Sequence, residues 1–169
     1  MKTIAIFAVV MLLGASNAAL TPEQTSSVIE GFFNIEVPAN GYNTDYAECV
    51  ADFMLAGADI AEAVSDFQAG QIAKGCAKIA DAVNVVPTLI DDCGWSPSEL
   101  NMDEINSVTA GFADKTVARE IIRKGILNNF WEVKRSTDLA VVAFEKGEMK
   151  MVGEFMMNVL VVLSKGATQ

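Results

Sequence analysis

Nucleophiles and bases are what this chain lacks. It contains no histidine, which removes the commonest general base and metal ligand, and with it every Ser-His or Cys-His device. Its three cysteines, Cys49, Cys76 and Cys93, therefore have no imidazole to activate them as nucleophiles. Carboxylates are plentiful: Asp91-Asp92 and Asp103-Glu104 are adjacent pairs, and Asp59, Glu62 and Asp66 recur at helical spacing. Adjacent residues on a helix point in different directions, and the stripe reads as a solvated face. Gly70-Gln71-Ile72-Ala73-Lys74-Gly75 begins like a phosphate loop, but Cys76-Ala77 stands where Lys-Ser/Thr is required. No segment supplies the alternating oxygens, central Gly and closing Glu of a calcium loop. The expectation is a non-enzymatic protein with no catalytic residue, no metal site and no cofactor.

One group of side chains suits binding instead. Met149, Met151, Met156 and Met157 lie in the last periodic stretch, with Phe130, Trp131, Phe144 and Phe155 near them. Methionine and aromatic rings adapt to irregular apolar ligands. Phe130, Trp131, Phe144, Met149, Phe155 and Met156 are the candidate apolar-ligand or partner surface, with core packing as the competing use of the same residues.

Charge narrows the partners. The chain has 22 acidic and 12 basic residues, a net charge of −10, which repels phosphate backbones and anionic headgroups, so nucleic acid is not an expected partner. At the start, Lys2 precedes the apolar run Ile4 to Leu13 and the small residues around Ser16-Asn17-Ala18, the pattern of a secretory signal over residues 1–18. That run is too short for a bilayer, which takes about 20 apolar residues, and no later stretch is long enough either. The expected product is a single helical domain over residues 19–169, in an extracellular or secretory-granule lumen.

These side chains need elements to position them. Thr21-Pro22-Glu23-Gln24 and Ser96-Pro97-Ser98-Glu99 each place a capping residue, Pro at the first helical position and Gln or Glu three on, which predicts two helix starts. Asp114 predicts a third. Cys49/Val50, Phe53, Gly57, Ile60, Val64 and Phe67 follow one another at three- and four-residue steps, as do Ile72, Cys76, Ile79, Val83 and Val86 before Pro87 breaks the pattern. Gly70 sits between the two runs, where a helix end calls for a left-handed residue. Residues 45–92 thus read as an antiparallel helical hairpin. A second one, over 115–164, turns at Gly147, and Phe67/Phe144 and Gly70/Gly147 share an offset of 77. Duplication and the general likeness of amphipathic hairpins explain that offset equally well. Neither hairpin can bury its apolar stripe alone, so the fold class is all-α: two antiparallel hairpins packed into a bundle, with shorter helices at about 22–33 and 97–112 filling gaps.

Secreted cysteines usually pair. Equal heights on the first hairpin set Cys49 opposite residue 90, about 4.5 Å from the level of Cys93 at 1.5 Å per residue, whereas Cys76 lies near the turn. A Cys49–Cys93 disulfide is expected, and Cys76 is left as a buried core residue or an intermolecular link.

Cys49, the segment Val86-Pro87-Thr88-Leu89-Ile90-Asp91-Asp92-Cys93, and Phe144-Glu145-Lys146-Gly147-Glu148 followed by Gly153 together resemble uncharacterised small secreted helical proteins of single-celled eukaryotes. The resemblance implies a topology and no site residues. The six-cysteine frame of saposin-like lipid-handling proteins is absent. Two functions follow as expectations: a secreted binding protein for a lipid or other apolar molecule, or for copies of itself; or an acidic extracellular or granule matrix protein that binds calcium weakly.

Overall fold

A computed structural model describes residues 19–36, 47–95 and 102–168 of the 169-residue chain. The Thr21 hydroxyl oxygen accepts from the Gln24 N–H at 3.2 Å, and Gln24 Oε1 accepts from the Thr21 N–H at 3.0 Å, so two N–H groups with no helical partner are satisfied reciprocally. From this cap α1 runs Pro22–Phe33. Five more helices follow: α2 Ala47–Gln68, α3 Ile72–Asp92, α4 Met102–Phe112, α5 Lys115–Glu145 and α6 Met149–Ala167. No strand occurs among the described residues. The fold is an all-α bundle. The Ser96-Pro97 helix start and residues 1–18 lie outside the described residues.

Both corners use one device. Gly70 and Gly147 have φ of +73° and +75°, a region where a Cβ would collide with the backbone. At the first, the Gly70 N–H donates to the Phe67 carbonyl and the Gln71 N–H to the Asp66 carbonyl; at the second, Gly147 donates to Phe144 and Glu148 to Ala143. These paired bonds occupy the last orphan carbonyls of α2 and α5 and turn the chain back within three residues. A hydrogen bond from Gln68 Nε2 to Glu145 Oε1, 3.2 Å, joins the two helix ends across the same offset of 77.

Cys49 and Cys93 are disulfide-bonded across the open end of α2 and α3. Helix α3 does not stop at Pro87 but continues to Asp92. Proline removes one helical hydrogen bond and crowds the carbonyl one turn back, and the remaining bonds and the burial of Val86, Leu89 and Ile90 carry the helix past it. Cys76 is free and fully buried. With no surface access, it has no route to an intermolecular disulfide. Desolvation pushes its thiol up to about 12.

The core is filled from every helix: Ile29 and Phe32 from α1, Phe53 and Ile60 from α2, Ile79 and Ile90 from α3, Ile105 from α4, Val133 from α5, and Met156, Leu160 and Leu163 from α6. Each such side chain stabilises by about 1.5–3 kcal/mol relative to exposure. Helix α1 is more than a gap filler. It lies between α2 and α6, and glycine lets it approach both closely. A Cβ on Gly57 of α2 would meet Thr25 Oγ1, and one on Gly153 of α6 would meet the Val28 carbonyl.

Candidate functional site

Helix α3 carries Ala73, Ala77 and Ala80 at steps of four and three, so one line of its surface holds only methyl groups. Helix α5 opens with Lys115, Ala118, Arg119, Ile122, Arg123 and Ile126, again one helical face. Where these two faces look toward each other, the alanines leave space that larger side chains would fill. The result is a groove of about 850 Å³, open to solvent along one side, closed beneath by Ala80, Ala118, Ile122 and Phe112 and shouldered by Leu127. An Asn84 Nδ2 hydrogen bond to the Phe112 carbonyl at 2.8 Å fixes α4 against α3 at its end.

The groove's polar groups sit on its rim. Lys74, Lys115, Arg119 and Arg123 are exposed cations along it, with Asp81 the acid among them. Lys74 is tied to Asp66 at 2.9 Å and Arg123 to Glu120 at 2.8 Å. The Glu120 pairing holds that carboxyl below its ordinary range, chiefly through its hydrogen bond with Arg123.

The acidic stripe of α2 is not a solvated face throughout. Asp66 is buried, and Asp59 pairs with Lys78 at 3.1 Å, which also reaches Glu62 at 2.7 Å. Burial raises the Asp59 pKa and outweighs the attraction of Lys78, whereas the exposed Glu62 is lowered by its Lys78 hydrogen bond. These pairs fasten α2 to α3. Among the described residues no group of three or more His, Cys, Asp or Glu side chains is placed to hold a metal ion, and no helix is long and apolar enough to cross a membrane.

The aromatic and methionine residues singled out in the sequence fall in three places. Phe130 and Trp131 are exposed on α5, Trp131 at 78%, with ring centroids 5.2 Å apart and edge to face. Phe144, Met149 and Phe155 are half-buried and packed against the core. Met156 is fully buried at 0%. Trp131 lines a separate shallow depression with Lys134, Arg135, Asp138, Leu139 and Val142. A kink at Asn129, with φ −132° and ψ 37°, separates this part of α5 from the groove. Asn side chains compete with the helical backbone for hydrogen bonds, and the neighbouring Asn128 donates instead to the Gly166 carbonyl on α6 at 2.7 Å.

Reading the sequence missed the groove residues. The available signals were the alanine line on α3 and the Lys115–Arg119–Arg123 ladder of basic residues four apart. Neither points to a ligand until the two helices are set side by side. Comparison with known protein families, curated proteins and solved structures finds no match for this chain.

Proposed function

We propose that this chain is a secreted, non-enzymatic binding protein that holds an apolar small molecule in the groove between α3 and α5. One observation carries the reading: a concave, largely apolar space of about 850 Å³, within the roughly 300–1,000 Å³ of small-molecule sites. Alanines on one wall leave the space, and Ile122, Ile126 and Leu127 offer apolar surface on the other. Secretion rests on the signal-like residues 1–18, and the non-enzymatic character on the lack of histidine. Neither Cys76, buried and un-ionised, nor Asp59, Glu62 and Asp66 of α2, engaged by lysines, offers a free reactive group at the groove.

Filling the groove tests this. The neutral dye N-phenyl-1-naphthylamine is expected to bind saturably, one per chain. Ala77→Trp, which puts an indole into the groove, is expected to abolish binding. Ala51→Trp, at an exposed alanine of α2, is expected to leave it intact. Equal dye binding by both variants would remove the groove as the site.

A further inference from the structure

The groove's rim and floor differ in chemistry, and that difference bears on the ligand. Four of the chain's 12 Lys and Arg residues line this one groove, on a molecule whose net charge is −10. Two of the four are already neutralised, Lys74 by Asp66 and Arg123 by Glu120. Among the described residues, Lys115 and Arg119 have no ion pair. They stand four residues apart on α5, so their side chains are neighbours on one face. Both head groups are exposed, while Ala118 and Ile122 between and beyond them are buried. From Lys115 to Leu127 the α5 wall extends about 18 Å at 1.5 Å per residue, room for one long acyl chain laid along Ile122 and Ile126.

We propose, building on the groove reading above, that the ligand is a single-chain amphiphile with an anionic carboxylate head, its head on Lys115 and Arg119 and its tail along the groove. Arg119 presents a planar fork of donors that matches a carboxylate, and Lys115 adds a point charge beside it. The acidic surface elsewhere repels anionic bilayers, so a soluble fatty acid taken up as a monomer fits the charge distribution better than a membrane headgroup. Asp81 disfavours a second anionic group near the α3 wall, which argues for one charged head.

The test displaces N-phenyl-1-naphthylamine with monomeric hexadecanoate, hexadecan-1-ol and hexadecyltrimethylammonium. Hexadecanoate is expected to compete at a concentration at least about tenfold lower than the alcohol, roughly what one partly exposed charge-assisted hydrogen bond supplies. That advantage should shrink with added salt. In Lys115→Gln/Arg119→Gln, whose side chains are exposed and whose fold is checked by thermal melting, hexadecanoate should fall to the level of the alcohol while the alcohol is unchanged. Equal displacement by acid and alcohol in the unaltered protein would overturn the head-group assignment and leave the groove reading standing. Failure of all three amphiphiles, together with failure of the dye, would end both. An acid preference that survives the double substitution, a preference for the cationic amphiphile, or binding to phosphatidylglycerol vesicles but not to monomeric acid would each overturn the proposal.

Discussion

The two hairpins turn by the same glycine geometry yet are held together by different means. In the first, α2 and α3 are joined by a disulfide at the open end and by lysine–carboxylate pairs toward the turn. In the second, α5 and α6 have no covalent link. Close backbone approach takes its place: a Cβ on Gly125 would run into the Leu163 backbone, and Gly166 faces Gly125. Side-chain amides add to it, Asn128 donating to the Gly166 carbonyl and Asn158 to Ser136 Oγ at 2.8 Å. The difference concerns what each hairpin leaves on its outer surface. Stapling α3 through charges and a disulfide frees its alanine line to form a groove wall. Packing α5 on α6 through glycine keeps that pair tight, and the outward face of α5 becomes free to carry Lys115, Arg119 and Leu127.

If the first hairpin depends on its staple, Cys49→Ser/Cys93→Ser should cost about 4 kcal/mol, the chain-entropy value for a loop of this size, read as a lower urea midpoint. A loss under about 1 kcal/mol would mean that the ion pairs and core already hold α2 on α3. The glycine contacts are broken differently. Gly153→Ala puts a methyl group where the Val28 carbonyl and the Phe32 N–H lie, and should cost about 1–3 kcal/mol by overpacking. Gly111, a helical glycine of α4 whose Cβ would meet nothing within 4 Å, is the control. Gly111→Ala should stabilise by about 0.5–1 kcal/mol through helix propensity. Equal effects at the two positions would show that backbone approach is not what fastens α6 to α1.

Local devices were legible from the residues because their physics is local. The elbows at Gly70 and Gly147, the Thr21–Gln24 box and the Asp114 cap each depend on a few neighbouring residues, and the structure has all of them. The Cys49–Cys93 bond was legible one level up, because helical rise alone sets the register of a hairpin. What was not legible depends on how separate helices meet in space. Asp66 looked solvated because it shares one helical face with Asp59 and Glu62; it is buried because α3 returns over it and brings Lys74. Met156 was left between core and partner surface because the run around it holds more apolar positions than one stripe requires; it is core because α6 is contacted on several sides, by α1, α3 and α5. The groove was invisible for the same reason, since an alanine line is only a line until α5 faces it.

A last comparison uses one substitution in both hairpins. Asp52 on α2 lies near the disulfide, and one of its carboxylate oxygens is buried with no hydrogen-bond partner. Burial raises its pKa above the ordinary 3.8, and a hydrogen bond with Asp92 and the charges of Asp92 and Glu48 add to the rise. The folded state therefore holds that proton more tightly than the unfolded chain does. The stability this contributes is full below pH 3.8 and is lost as pH rises through the raised value, so at neutral pH the ionised Asp52 is a burden. Asp114, the cap of α5, is the reverse case. Its carboxylate accepts the N–H groups of Val117 at 2.9 Å and Thr116 at 2.7 Å, which lower its pKa. Its stabilisation is present above 3.8 and is lost as pH falls through the lowered value. Asp52→Asn should raise the melting temperature at pH 7, with the gain fading toward pH 4. Asp114→Asn should lower it slightly at pH 7, since Asn still caps but without charge, with that loss fading at acid pH. Melting curves of both variants from pH 3 to 8 decide it. Shifts of the same sign at pH 7 would mean that the carboxylate beside the staple is hydrated, and that the first hairpin tolerates its acidic end at no cost.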